Sequence, residues 1–476
     1  MPTRRRRTLR LAIMTDGDPT YKGLIGGSRR RAASRGPLPP LGHTGGVPPG
    51  PDHPPTAAVP PALRLESWRS RAVLGVVLVA MAAGFGQFGV VAALGDVART
   101  FGRMGHEATL ADQAGLSGTV LGAGLGVIRL ASLLALPLAG LADRFGRRPM
   151  LLATVTAGLV VTVVSAASPG YWWFVAVFAL GRPLLSAANA LAQVVAAEQT
   201  SSHDRARAVA LVTAGYGVGA GMTAIVHSLA SSTLGFRGTV ALALVPLALV
   251  PVIARWVTEP DRFAVAEAAR DRPTPVLGAV GPRFRRRLLV LVALAFAVAM
   301  MTGPANTFVF LYAQNVRHLS GGVTAAMVAA AGVTGLAGLL AGRWLADRVG
   351  RRPTGALGTV GIALAAALAY SGSSAALAVG YVVGVLAGGV LAPAIGSLVN
   401  ELFPTEVRAS VAGWFLVAGV VGASVGLVAF GTVADAGQRF GLAALVTVLP
   451  FGLSAALFWC VPETRGREPE ELWPAG

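Results

Sequence analysis

From Ala72 onward the chain is a succession of apolar runs, each about twenty residues long and each closed by a short polar break. A helix rises 1.5 Å per residue, so about 20 apolar residues cross the ~30 Å hydrocarbon core of a bilayer. Within lipid every backbone N–H and C=O needs a partner, which leaves only helices and closed barrels. Barrel strands take about 9–11 residues, so runs of this length predict helices. There are twelve: 72–95, 114–138, 149–168, 171–197, 207–230, 238–257, 288–313, 321–343, 354–371, 374–400, 407–434 and 440–461. The longest internal break, 258–287, is charged and contains prolines. The expected architecture is an all-α membrane protein with twelve transmembrane helices in two six-helix bundles. The bundles cover 72–257 and 288–461, with 258–287 as a cytoplasmic linker and 462–476 as a cytoplasmic C-terminal tail.

Composition excludes the main competitors. Hydrophobic residues make up 54% of the 476 residues and charged ones 13%, against roughly 25% charged in soluble domains. Residues 1–66 are the exception, with 12 of the 30 prolines, Arg4–Arg7 and Arg29–Arg31. That composition cannot bury a core and predicts a disordered cytoplasmic tail. It is not a signal peptide, because Leu11–Met14 is too short for an apolar core. Cys460 is the only cysteine and the six histidines never pair at ligand spacing, so neither an intrachain disulfide nor a closed metal site is expected. No GxSxG, phosphate loop or dinucleotide fingerprint stands in a strand–turn–helix setting. The chain reads as neither an enzyme nor an ATP-driven pump, and no cofactor is expected.

The net charge of +18, with Lys22 the only lysine, would suit a nucleic-acid partner if it formed one patch. Instead the arginines are dispersed between the apolar runs. Arg99, Arg103, Arg237, Arg317 and Arg439 fall on one side, Arg129 and Arg182 lie inside runs, and the rest of the 40 Lys and Arg collect on the opposite side. Positive residues stay inside, so both termini are expected in the cytoplasm. Trp172, Trp173, Trp256 and Trp459 stand at run ends, where aromatic belts form.

The halves repeat each other. Leu141-Ala142-Asp143-Arg144-Phe145-Gly146-Arg147-Arg148-Pro149 returns 204 residues later as Leu345-Ala346-Asp347-Arg348-Val349-Gly350-Arg351-Arg352-Pro353. Glu198 and Arg205 are seven apart, as are Glu401 and Arg408, and Glu259 of Thr258-Glu259-Pro260 is matched by Glu463 of Pro462-Glu463-Thr464. A repeat of this kind, with a site between the halves, is typical of secondary transporters.

These residues resemble the major facilitator superfamily. The two LADRxGRRP loops are similar to its motif A, and Glu198…Arg205, Asn400-Glu401-Leu402-Phe403-Pro404-Thr405…Arg408 and Val461-Pro462-Glu463-Thr464-Arg465-Gly466 resemble the sugar-porter and metabolite-symporter branch. The resemblance covers 72–465. Ala139 and Arg343 stand where motif A usually has glycine, Gln87 stands in a first helix that often carries a carboxylate in proton-coupled relatives, and the fifth run lacks the Gly-Pro pair of drug antiporters. The resemblance implies a latch at the cytoplasmic ends built on Asp143, Arg144, Gly146, Arg147 and Arg148, with Asp347, Arg348, Gly350, Arg351 and Arg352 as its counterpart. A carboxylate at Asp143 or Asp347 can satisfy the free N–H groups of a neighbouring helix, with Glu198–Arg205 and Glu401–Arg408 as matching gate pairs.

Arg182, midway along the fourth run, is the most informative charge. An arginine at the bilayer centre costs about 2.5–3.5 kcal/mol on insertion scales, so it must face a cavity or a partner. Arg182, Ser186, Asn189 and Gln193 form one narrow polar stripe. Arg129 in the second run lacks an obvious acidic partner at its depth, and Asp96 is the nearest carboxylate in sequence. Gln87, Tyr216 and Asn306 complete the expected solute-binding set, and Tyr216, Thr223 and His227 share one helical face. Two arginines in one cavity without a carboxylate would favour an anionic solute.

The expected function is secondary active or facilitative transport of a small organic solute, a sugar or an organic-acid-like metabolite, by alternating access. The protein is expected to be a monomer in the cytoplasmic membrane whose partners are the solute, the bilayer and, if transport is coupled, a proton titrating at a group such as His227. A multidrug exporter of the same fold and a solute sensor that does not transport are the alternatives.

Overall fold

The computed structural model describes residues 65–102, 110–261, 277–278, 280–467 and 469–473. The expected tail at 1–66, apart from its last two residues, and the larger part of the 258–287 linker lie outside the described residues. The spans are α1 (Arg71–Ala92), α2 (Gly118–Phe145), α3 (Arg147–Ser165), α4 (Tyr171–Gln199), α5 (Ser202–Ala241), α6 (Leu244–Trp256), α7 (Pro282–Val316), α8 (Gly321–Arg348), α9 (Arg351–Ala369), α10 (Ser374–Glu401), α11 (Thr405–Gly437) and α12 (Phe440–Cys460). Among the described residues eleven helices are long and apolar enough to cross a membrane. The exception is α6, which completes the sixth run together with the bent end of α5. At that bend Gly235 takes φ 55° and ψ −165°, a conformation that costs little only without a Cβ.

Several helices extend beyond their apolar runs, among them α5, α8 and α11, and two further differences, in α2 and α7, have a clear local cause. The second helix continues past 138 to Phe145, where Gly146 ends it with φ 97°. The seventh begins at Pro282 rather than 288, because proline suits a first helical position and the arginines that follow can keep their heads in a polar layer while their stems lie along the helix.

The two six-helix bundles have the same packing plan. Helix α1 lies along α5 as α7 lies along α11; α3 pairs with α4 as α9 does with α10; α2 meets α4 as α8 meets α10; α6 and α12 close against α3 and α9. Between bundles, α2 packs on α11 and α5 on α8, and each of these contacts is the image of the other under exchange of the halves. The end carrying both LADRxGRRP loops is called the motif end, and the opposite one the far end.

The bundles touch unequally along their length. Helix α2 packs on α11 through its far-end portion Gly118–Ala131, then tightens at Ser132–Leu134. Pro137 cannot donate to the Leu133 carbonyl, and in Ala135–Phe145 only Ala142 is buried. The interface is thus sealed at the far end and parted towards the motif end.

Candidate functional site

The parted bundles enclose a cavity of about 430 Å³. The first bundle contributes Phe88 from α1, Arg129 from α2, Arg182 from α4 and Tyr216 from α5; the second contributes Thr302, Asn306 and Thr307 from α7, and small residues such as Gly419 and Ala423 from α11. No carboxylate stands among the described residues that line it. Arg182 is 8% exposed. Its Nη1 donates to the Gln87 carbonyl oxygen at 3.3 Å, and its Nε is buried without a hydrogen-bond partner. The Tyr216 hydroxyl donates to Gln87 Oε1 at 3.3 Å, so Gln87 stands behind the wall and holds two lining side chains from α1.

Of the expected solute-binding set, the structure therefore brings Arg129, Arg182, Tyr216 and Asn306 together on one cavity and gives Gln87 a supporting position. Asn189 and Gln193 differ: they share a helix with Arg182 but do not line the cavity. Gln193 is eleven residues from Arg182, about 16 Å along the axis at 1.5 Å per residue, which carries it out of the cavity towards the motif end. Asp96 is no partner for Arg129; it pairs with Arg99 and faces His227.

The far-end seal is polar at its rim and closely packed beneath. Asp435, in the last turns of α11, accepts from the backbone N–H groups of Gly118 at 2.7 Å and Thr119 at 2.8 Å, and from the Thr119 hydroxyl at 2.6 Å. An anion is favoured there because α2 begins at that point with free N–H groups and the positive end of its dipole. Beside that contact a side chain on Gly431 would collide with the Gly118 carbonyl and, deeper, one on Gly122 with that of Leu427. From α7, Asn315 Nδ2 donates to the Gly95 and Ala114 carbonyls, both at 3.0 Å. Phe88 meets Phe310 edge to face above the cavity, with centroids 5.9 Å apart.

At the motif end each half builds the same charge network. Arg147 pairs with Asp143 at 2.6 Å and with Glu198 at 3.3 Å; Arg351 pairs with Asp347 at 3.5 Å and with Glu401 at 3.3 Å. Gly146 and Gly350, with φ 97° and 124°, turn the chain into the next helix. The free N–H groups there are taken by Glu259, at 2.6 and 2.9 Å from the nitrogens of Arg147 and Arg148, and by Glu463, at 2.8 and 3.0 Å from those of Arg351 and Arg352. Burial pushes the Glu463 carboxyl up, but the N–H groups of Arg352, Arg351, Arg465 and Thr464 outweigh it and hold the group below its usual range. Arg148 and Arg352 reach across to carbonyls at the ends of α6 and α12, Val257 at 2.8 Å and Trp459 at 2.8 Å.

This geometry differs from the expected latch in two respects. Asp143 and Asp347 do not cap a neighbouring helix: they sit before the turn glycine and reach only the arginine side chain after it, while the two glutamates lie over the helix starts. Nor do Glu198 and Glu401 pair with Arg205 and Arg408; Arg205 is exposed, and Arg408 donates to the Phe403 carbonyl at 3.3 Å. Arg144 and Arg348 end exposed, the latter over the Trp344 ring at 4.9 Å. These ion pairs at the motif end all stay within one half, as expected where the halves are parted.

Comparison with known proteins agrees with this architecture. The chain matches the family model described as Major Facilitator Superfamily over residues 76–345 and 326–473. It is 27% identical to a protein of Cupriavidus pinatubonensis named "Probable 4-methylmuconolactone transporter" over 70% of this chain and 79% of that one. The fold is similar to the xylose transporter XylE from E. coli in its inward open conformation, with a TM-score of 0.63 and 18% identity over 84% of this chain and 99% of that one. It is also similar to a bacterial homolog of the human lysosomal transporter Spinster, inward-facing and unoccupied, with a TM-score of 0.64 and 15% identity over 82% and 98% of the two chains. With two matching six-helix bundles around one cavity and a family match across nearly all of both, the chain is a multi-pass membrane transporter belonging to the Major Facilitator Superfamily.

Proposed function

We propose that the protein moves a small organic acid across a bacterial cytoplasmic membrane by alternating access, with Arg129 and Arg182 holding the solute carboxylate. The observation that carries this reading is the pair of arginines on a cavity without a lining carboxylate. Like charges held in low dielectric repel, and an anion between them supplies what the wall lacks. The planar guanidinium forks suit a carboxylate in two-point contact. Tyr216 and Asn306 offer hydrogen bonds to the remainder of the solute, and 430 Å³ lies within the usual ~300–1,000 Å³ of small-molecule sites. A relative named for 4-methylmuconolactone supports a small organic solute.

The arginine asymmetry supports the motif end, with both termini, as cytoplasmic. The conformation described is then open to the cytoplasm, and the far end faces the outside. The cavity is lined from both bundles of one chain, which supports a working monomer.

Counterflow in proteoliposomes, with a panel of short organic acids and neutral sugars, tests the reading. Organic acids are expected to exchange, and a hundredfold excess of sugar to leave that exchange unchanged. Exchange of sugars that no organic acid inhibits would overturn it.

A further inference from the structure

The far end contains a polar cluster separate from the solute cavity. His227 is fully buried on α5, and Asp96, 8% exposed, lies on the short helix Leu94–Phe101 that follows α1. The Thr239 hydroxyl donates to the Gly235 carbonyl at 2.8 Å and lies 2.7 Å from His227 Nδ1. A hydroxyl has one hydrogen; with it committed to Gly235, Thr239 accepts and Nδ1 carries the imidazole hydrogen. That leaves the Nε2 lone pair directed at Asp96 Oδ2, 3.5 Å away. Neither atom has a partner in hydrogen-bonding geometry; the Gln314 side chain also faces His227, but its amide nitrogen donates to the Ala92 carbonyl and its Oε1 is a further buried, unsatisfied acceptor. Two acceptors facing each other away from water are unfavourable unless a proton lies between them.

We propose that Asp96 and His227 form a proton-binding site whose occupancy favours closure of the far end. The proton comes from the medium on that side. Bound at Nε2 it gives an imidazolium donating to the carboxylate; bound at Oδ2 it gives a carboxylic acid donating to the imidazole. The two residues share that one proton. The charged groups facing His227 are Asp96 itself and Arg99, which pairs with the other carboxylate oxygen. From α7 the facing group is the uncharged Gln314, while α1 and α8 carry their charges only at the motif end (Arg71; Arg343, Asp347 and Arg348). Nearby Arg237 is committed to the Ala166 and Ser168 carbonyls at 2.7 and 3.0 Å.

Coupling to the gate follows from what covers the site. Gln314 Nε2 donates to the Ala92 carbonyl at 3.4 Å and Asn315 Nδ2 to that of Gly95 at 3.0 Å, so α7 of the second bundle pins the backbone that carries Asp96. When the far end opens, these bonds break and water reaches Oδ2. A hydrated carboxylate no longer needs the shared proton, which therefore binds more tightly in the sealed state.

The test needs no solute, so its failure is separable from failure of the organic-acid reading. Spin labels on Ala167→Cys and Ser371→Cys, exposed far-end loop positions in opposite bundles, are introduced with Cys460→Ser and their distance distribution is measured against pH in lipid discs. The sealed-to-open ratio is expected to fall as pH rises, by up to about tenfold per pH unit around the site's titration. Asp96→Asn can donate an amide hydrogen to Nε2, and is expected to remain sealed with no pH dependence; His227→Gln should also lose the dependence. Monodisperse elution of each variant establishes folding. A pH-independent distribution in the parent protein, as a neutral Nε2–H tautomer bridging the pair would give, overturns the proposal, and so does the parent's titration persisting in folded Asp96→Asn.

Discussion

Arg182→Gln is expected to weaken binding of an organic acid roughly 10- to 100-fold while leaving the fold intact. The residue is 8% exposed, anchored to one carbonyl on α1 and otherwise turned to the cavity. A hydrogen bond to a charged partner contributes about 1.5–3 kcal/mol, which corresponds to that change in affinity. The same cation costs the unliganded protein about 2.5–3.5 kcal/mol of insertion free energy at membrane depth. Its removal should therefore hold or raise the melting temperature even as binding falls. Arg182→Lys keeps the charge but loses the fork, and is expected to fall between parent and glutamine. Titration calorimetry with a transported acid, alongside thermal unfolding in the same detergent, checks both halves of the prediction. Unchanged affinity in Arg182→Gln would mean that the cavity does not bind the solute through this arginine.

Gly122→Leu is expected to abolish most transport for a different reason. In the sealed state a Cβ at 122 meets the Leu427 carbonyl, and α2 and α11 have no room to separate without breaking the Asp435 contacts to Gly118 and Thr119. Overpacking of this kind costs about 1–3 kcal/mol, and it falls only on the state in which α2 and α11 touch. The sealed population should drop roughly 10- to 100-fold, since each 1.4 kcal/mol is a factor of ten, and counterflow should fall with it. Solute binding measured at equilibrium should survive, because Gly122 is not part of the cavity wall. Loss of binding together with loss of flux would place the glycine's role elsewhere.

Much of the fold was legible because the bilayer imposes a length on every span, and because duplication marks the bundle boundary twice. The apolar signal failed where chemistry rather than hydropathy sets a helix end: at Gly146, whose positive φ stops α2, and at Pro282-Arg283-Phe284-Arg285-Arg286-Arg287, polar in sequence yet helical. The cavity was legible in part. A charge at membrane depth must face inward, which singled out Arg129 and Arg182, but the stripe through Asn189 and Gln193 gives only a direction around the helix and no depth along it. Partner choice was the least legible. Spacing within the chain suggested Glu198 with Arg205, whereas Glu198 meets Arg147 across 51 residues. The capping glutamates did leave a signal: Glu259 and Glu463 each lie 112 residues beyond the arginine whose N–H they accept. Read as symmetry marks, they gave no hint that they cap helices. The facing of His227 and Asp96 depends on the bend at Gly235, which nothing in the apolar pattern reports.

All of these effects depend on one cavity being reached from one face at a time. Thr302→Cys places a single thiol on its wall once Cys460→Ser removes the native one, and a membrane-impermeant maleimide applied to vesicles of either orientation reads the side from which it is reached. The ratio of labelling rates from the two faces is predicted to favour the motif face in the parent and to invert in Gly122→Leu. The same ratio in both proteins, or a thiol labelled from neither face, would contradict alternating access through this cavity.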